Sequence, residues 1–366
     1  MQRGLYLFQS VLWLVLDVGG DFMKIFLDDF GIFLGRKRNR FIVKKEGEVK
    51  EIVADDVDSI ICCSSGVAFS ASALDLAIRN NIQVVFARYS GWPYAVLMPA
   101  AMTGSVRARR EQFAAYNDER GFILAKKFMS GKLANQANLL KLMAKNRRQT
   151  DPTLSERLYE AGKAIDEICT KVDKEQGFKI DDKRQDLMNL EAEGARFYWD
   201  AIRQVLPTEL GFTGRITRGA RDPFNAMLNF GYQTILFPEV WKAIGYAGLD
   251  FYAGYLHADR PGKPSLVLDL MEEFRQQVVD RTLIGLLTKN VIKPDEIIVA
   301  ETGEEGRVLN REVVKTLLAS FQERLDTDVM FDGQRGSIKN FIHHQARRVA
   351  RFLLHEADYT PFTLGW

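Results

Sequence analysis

The sequence predicts an α+β protein in which an N-terminal β-rich domain precedes a larger all-α catalytic domain. Three observations carry that prediction. Short apolar runs separated by turn residues dominate from Lys24 to about Met98, and apolar residues recur at helical spacing after Ser105. The chain has 366 residues, too many for one ordinary core. The expected divisions are an N-terminal extension at 1–22, a β-rich domain at 23–104 and a helical domain at 105–366.

In the extension, Arg3 followed by Leu5 to Leu16 loosely imitates a signal peptide, but Gln9, Ser10 and Asp17 interrupt or bound it, and it is too short to span a bilayer. Met23 opens a strand-like pattern at once and reads as the native start of a cytoplasmic protein without a membrane partner. Strands are expected at Lys24 to Asp28, Gly31 to Gly35, Arg40 to Lys44, Val49 to Val53 and Val57 to Cys62. Ser70 or Ser72 caps a short helix over Ala71 to Asn80, whose Ala73, Leu74, Ala77 and Ile78 share a face. Ile82 to Phe86 and Tyr94 to Met98 complete the sheet. Helices follow at Arg107 to Tyr116, Gly121 to Phe128, Leu133 to Asn146 and Leu154 to Val172, then a charged surface connection around Lys171 to Lys183. Further helices are expected at Lys183 to Val205, Pro223 to Leu236, Leu268 to Leu287, Arg311 to Leu325 and Ser337 to His355.

Fifty basic residues against forty-eight acidic ones leave the chain near neutral, so any case for nucleic acid must rest on local clustering. Three cysteines, Cys62, Cys63 and Cys169, form neither a zinc pattern nor a disulfide framework and suit a reducing compartment.

The chemistry gathers in three stretches. On the helix from Lys183 to Val205, Leu187, Met188, Glu191, Ala195, Tyr198, Ile202 and Val205 fall on one side, which sets the Glu191 carboxylate in an apolar stripe, while Glu193, Arg196 and Asp200 point toward solvent. An inward carboxylate is costly unless a cation, a hydrogen-bond network or a metal compensates it, and the commoner compensation is a buried ion pair with arginine. His257 ends the segment from Leu249, which reads as helical, and Pro261-Gly262-Lys263-Pro264 bends the chain back so that the imidazole meets the first turns of a following helix. On that helix Phe274, Val278, Val279 and Thr282 mark the inner face, Glu272 sits at its edge, and Asp269 and Glu273 face further out. One imidazole with two or three carboxylates suits Mg²⁺ or Mn²⁺ better than structural zinc. Basic residues cluster as well. Gly333 to His355 contains no acid but holds Arg335, Lys339, Arg347, Arg348 and Arg351, and Arg215, Arg218 and Arg221 punctuate a Gly-containing loop. Arginine forks match phosphate oxygens, so these groups are candidate DNA contacts, whereas Lys141 to Arg148 reads as a solvated helix end.

These motifs, in this order, resemble the CRISPR-associated integrase and endonuclease of spacer acquisition, the first of the numbered Cas proteins. Leu187-Met-Asn-Leu-Glu191-Ala-Glu-Gly-Ala-Arg-Phe-Tyr-Trp199 is similar to the family's glutamate helix, and Arg221-Asp-Pro-Phe-Asn225 to its Asp-Pro-x-Asn segment. Gly248 to His257 and Ser265 to Arg275 resemble its histidine and acidic motifs, with fainter likenesses at Gly131-Lys132, Asn135-Gln136 and Tyr359-Thr-Pro-Phe362. Ala192 stands where the family usually has glycine and Phe251 where it usually has proline; helical phase selects Glu191 over Glu193. The resemblance implies a β-domain that forms a homodimer, a divalent metal held by Glu191, His257 and Glu272, and Asp269 as a neighbouring acid that supports or shares the ligand role. It also implies DNA substrates, duplex, branched or with free 3′ ends, and the second Cas protein as partner. Two other readings stay open on the residues alone: a DNA-binding scaffold without turnover, and a metal-dependent hydrolase of a small phosphate ester.

Overall fold

The computed structural model describes residues 14–17, 23–88, 93–99, 106–217, 219, 221–302 and 306–366. The N-terminal part contains β1 (Leu14–Asp17), β2 (Met23–Leu27), β3 (Phe33–Lys37), β4 (Arg40–Lys45), β5 (Glu48–Val53), β6 (Val57–Cys62), β7 (Ala68–Phe69), α1 (Ala71–Arg79), β8 (Gln83–Ala87) and β9 (Pro93–Leu97). These strands make two sheets, one ordered β1-β2-β6-β8-β9 and one ordered β5-β4-β3-β7. The pairs β2–β6 and β6–β8 are parallel, and β1 and β9 close the edges antiparallel. Leu14–Asp17 of the extension therefore belongs to the sheet, opposite Met23 to Phe26, and the rest of the extension lies outside the described residues. Ser70 caps α1, its hydroxyl accepting from the Ala73 amide.

The alternation of side chains along a strand explains how this sheet is used. Ile25, Leu27, Ile60 and Val84 point to the β3–β5 sheet and α1, whereas Phe26, Ile61 and Val85 point the other way, into the core of the helical half. The central strands are thus buried on both faces, as the parallel arrangement requires.

The helical half contains α2 (Val106–Ala115), α3 (Glu119–Arg147), α4 (Pro152–Lys174), α5 (Ile180–Val205), α6 (Pro223–Phe230), α7 (Phe237–Tyr246), α8 (Ser265–Met271) and α9 (Arg281–Thr288). A hairpin of β10 (Ile298–Thr302) and β11 (Gly306–Leu309) precedes α10 (Arg311–Asp326), and a second hairpin of β12 (Asp328–Phe331) and β13 (Gln334–Ser337) leads into α11 (Ile338–Leu353). Asp118, Asp151, Asp222 and Ser337 cap α3, α4, α6 and α11. The expected boundary at 104 lies outside the described residues.

Several expectations are corrected. The two helices expected at 121–128 and 133–146 are one, α3, because Gly131 continues the helix and its missing Cβ makes room for Pro361. The segment from Leu249 to His257 is irregular, since side chains capture the backbone groups a helix would pair internally. The helix expected over 268–287 breaks after α8 and resumes as a π-type turn at Gln276–Asp280 before α9. Both β hairpins and α7 escaped the sequence reading. Lys141 is buried against Asp166, so the Lys141 to Arg148 stretch is only partly solvated.

Candidate active site

The loop carrying His257 is fastened from three sides. Gln112 on α2 donates to the Asp250 and Ala253 carbonyls at 2.9 and 2.8 Å and accepts from the Asp250 amide at 2.7 Å. Arg184 on α5 donates to the Tyr255 carbonyl at 3.2 Å. On α8 the Asp269 carboxylate accepts the successive amides of Tyr255, Leu256 and His257 at 2.6, 3.0 and 2.9 Å. Gly254 lets the loop pass close to α8, since a Cβ there would meet Ser265 at 2.6 Å. Phe251 stacks flat on Trp241 with ring centroids 4.0 Å apart, which gives the loop a rigid start without proline.

Asp269 also fixes the imidazole. Its Oδ1 lies 2.7 Å from His257 Nδ1. With a proton on Nδ1, the Nε2 lone pair is presented outward, the arrangement that metal-ligating histidines require. Nε2 looks toward Glu272 Oε1 at 3.9 Å.

Glu191 and Glu272 meet through a residue outside the predicted set. The Lys132 ammonium on α3 sits 2.6 Å from Glu191 Oε1 and 2.8 Å from Glu272 Oε2. Burial would lower the lysine, but Glu191 and Glu272 outweigh it and hold Lys132 above its ordinary range. Burial works to raise Glu272, yet Arg275, Lys132 and His257 keep it down at about 2. Arg275 Nε lies 3.1 Å from Glu272 Oε1 and its guanidinium covers the Tyr232 ring at 4.6 Å. Tyr232, in a π-type turn at Gly231–Leu236, donates with Tyr198 to the Asp280 carboxylate in the second π-type turn. Gly231 permits that approach, because a Cβ would meet Val279 at 2.6 Å.

Helical phase thus places Glu191 on the inner side of α5 as expected, but Asp269 and Glu273, expected to face outward, are both fully buried. The break after α8 rotates the residues beyond Met271 away from the phase of a continuous helix. Among the described residues no three His, Cys, Asp or Glu side chains converge closely enough to hold an ion as they stand. The donor set nonetheless fits one. Glu272 Oε2 is buried and, although close to the Lys132 ammonium, has no aligned hydrogen bond. Two carboxylates and one imidazole nitrogen facing a cation position match magnesium or manganese chemistry. Lys132 was visible in the sequence only as part of Gly131-Lys132, within α3, most of whose residues are buried.

The six predicted arginines are placed differently. Arg347 and Arg221 are exposed. Arg348 pairs with Asp332 at 2.6 Å and lies over Phe331, and Arg351 is 3.9 Å from Glu356. Arg215 is held by the Asn225 and Asn229 side chains, and burial lowers its pKa. Arg218 lies outside the described residues.

A mixed-sheet N-terminal part joined to a helical body, with two carboxylates sharing one buried lysine and an imidazole beside one of them, defines a class of α+β proteins whose polar centre sits on the helical scaffold. The particular family follows from the comparisons. Residues 25–323 match the family described as CRISPR associated protein Cas1, and the chain belongs to that family. It is 37% identical over 355 residues to the CRISPR-associated endonuclease Cas1 1 of Archaeoglobus fulgidus, covering 94% of this chain and 100% of the relative. It is 33% identical to the Cas1 endonuclease of Thermus thermophilus, covering 93% and 99%. Among solved structures, a casposase bound to its integration product superposes with a TM-score of 0.78 at 25% identity over 93% of both chains. A Cas1 protein from Thermotoga maritima shares the fold with a TM-score of 0.72 at 22% identity, covering 93% of this chain and 99% of that one. No helix among the described residues is long and apolar enough to cross a membrane.

Proposed function

We propose that this protein is a DNA endonuclease and integrase of CRISPR spacer acquisition, and that it works with Mg²⁺ or Mn²⁺ held by Glu191, His257 and Glu272. One observation supports the assignment: Glu191 and Glu272, on helices far apart in sequence, share the Lys132 ammonium, and His257 Nε2 lies 3.9 Å from the other Glu272 oxygen. A divalent ion held by these residues would supply Lewis-acid polarisation of a phosphoryl oxygen and stabilise the charge that develops on it.

The chain's own residues do the rest. Asp269 orients His257, and Arg275 holds Glu272 ionised. Lys132 neutralises the two glutamates, whose oxygens would hold the ion in its place. In strand transfer a 3′-hydroxyl attacks phosphorus, a new P–O bond forms, the target's P–O3′ bond breaks, and the released 3′-oxygen takes up a proton. Water in place of the 3′-hydroxyl gives cleavage by the same chemistry. The loop's outer side borders a cavity of about 520 Å³ where Phe113 and Tyr252 expose their rings near Arg260 and Lys263, a surface suited to an unpaired strand end. The exposed Arg221 and Arg347 are the candidate backbone contacts. Family membership supports a homodimer through the β-rich half and the second Cas protein as partner.

The test follows labelled DNA with a free 3′ end, a branched or repeat-containing duplex and Mn²⁺, with and without a chelator, for the wild type and His257→Ala. Joined products that need both the metal and His257 are expected. Equal binding of DNA by both proteins with no joining or cutting by either, even with the second Cas protein added, sinks the catalytic reading in favour of a scaffold.

A further inference from the structure

Glu273, the neighbour of Glu272, has no place in the chemistry above and yet is fully buried. Among the described residues no cation pairs with it. Three neutral donors hold its carboxylate instead: the Tyr359 hydroxyl at 2.6 Å, the Gln345 amide at 2.9 Å and the Phe362 backbone amide at 2.8 Å. A buried carboxylate hydrogen-bonded only by neutral groups is a poor source of stability, and an apolar residue of similar size would serve the core better. What the carboxylate does supply is a fixed position.

The two donors from the far end of the chain belong to one extended segment, Tyr359 to Leu364. Asn135 on α3 grips the same segment, donating to the Phe362 and Glu273 carbonyls at 2.8 Å each and accepting from the Leu364 amide at 3.0 Å. Phe362 stacks on Phe274 with centroids 4.7 Å apart. Gly131 leaves space for the crossing, since a Cβ there would stand 2.8 Å from Pro361 and 3.1 Å from Glu273. The tail therefore clamps the residue beside Glu272 and, on α3, residues flanking Lys132, the two partners of the buried pair at the site.

We infer that the segment Tyr359 to Leu364 is a positioning strap for the active site, and that Glu273 is the positioning residue through which it acts. By holding the Glu273 carboxylate the strap sets the backbone just after α8, and with it the direction in which Glu272 faces Glu191 and His257. This rests on the assignment of Glu272 as a ligand.

The test compares Tyr359→Phe, which keeps the ring packed edge-on against Phe128, with Trp366→Ala at the exposed end of the same tail. Mn²⁺ binding in the absence of DNA, followed by electron paramagnetic resonance of the free ion, is expected to weaken about tenfold in Tyr359→Phe, the size of effect seen when a ligand's outer partner is removed. Joining at saturating Mn²⁺ should fall by a similar factor, with DNA affinity unchanged and Trp366→Ala equal to the wild type in every measurement. If Tyr359→Phe binds Mn²⁺ and joins DNA like the wild type, or loses both only in proportion to its folded fraction, the strap is overturned. A wild type that binds no Mn²⁺ removes the ligand assignment, and the strap, which rests on it, falls with it. Should Tyr359→Phe not fold, Glu273→Gln, which keeps the shape and one acceptor oxygen, is judged by the same outcomes.

Discussion

Two buried ionic clusters invite comparison, the one at the active site and one where the sheet meets the helices. At the junction, Lys24 on β2 lies 3.0 Å from Glu239 on α7, and Asp58 on β6 is met by Lys339 on α11 at 2.6 Å. Lys24 and Lys242 are 3.7 and 3.9 Å from Asp58. Both clusters leave a buried carboxylate oxygen without a hydrogen bond. Their surroundings differ. The junction has three lysines for two acids and joins secondary-structure elements; the active site has one side, the half-buried His257 loop, open to the exterior. A lysine in the first case is a fixed strut, while Lys132 in the second stands, on the proposal above, where another cation would bind.

Matched substitutions would break that contrast most forcefully if it is wrong. Lys339→Met and Lys132→Met each strip a partner from buried carboxylates, and each should cost about 3–5 kcal/mol by chemical denaturation. Only Lys132→Met should be rescued by Mn²⁺, by about 2.7 kcal/mol at a hundred times the dissociation constant. Equal rescue of both variants, or of neither, would erase the distinction.

The buried acids also differ in the sense of their titration. Although burial opposes it, Lys24, Lys339 and Lys242 hold Glu239 well below the ordinary glutamate value. Burial pushes Asp280 up to about 6, since the tyrosine hydrogen bonds of Tyr232 and Tyr198 lower it only in part. The folded state therefore keeps a proton on Asp280 that the unfolded chain releases, so stability is full below pH 4 on this account and is lost as pH rises through about 6. A shift of about two pKa units corresponds to about 3 kcal/mol. Asp280→Asn should flatten that part of the pH–stability curve, while Glu239→Gln should leave the same window unchanged.

Activity should separate the clusters in the other direction. Glu191→Gln is expected to lower joining per folded molecule at least about a hundredfold, the loss typical of removing one charge-stabilising group. Lys339→Met should retain wild-type joining per folded molecule.

Much of this was legible in the sequence because it depended on local periodicity. The inward phase of Glu191 on α5, the Ser70 cap and the alternating strands are short-range features, and they required no knowledge of what lay opposite. Lys132, Glu273 and Glu239 were illegible as a group because each is defined by a partner far along the chain: Lys132 by Glu272, Glu273 by Tyr359 and Glu239 by Lys24. The phase of Asp269 and Glu273 was misread because the helix was assumed to be continuous where it breaks. The β12–β13 hairpin did carry a local signal, Asp332-Gly333 with positive φ at both residues, which marks a tight hairpin turn even between short strands.

The smallest expected effect concerns the outer surface next to the junction, where α11 passes from strut to exposed face within three turns. Lys339 is committed to Asp58, and Arg348 to Asp332 and Phe331. Arg347 is exposed, pairs with no acid among the described residues, and borders a cavity of about 410 Å³ with Tyr246, Asn340, His343 and His344. Burial lowers His343 to about 4, so at neutral pH the imidazole adds no charge and the arginine is the cation of that cavity. An unpaired guanidinium binds phosphate without first giving up an intramolecular partner, whereas Arg348 would have to leave its carboxylate. Arg347→Ala should therefore weaken DNA binding by only a few-fold while lowering the slope of log affinity against log salt by about 1. Arg348→Ala should leave that slope unchanged and cost stability through lost contact with Asp332 and Phe331. The reverse pattern would mean that the acid-free stretch contacts DNA through its paired arginine, and that exposure on this helix is no guide to phosphate binding.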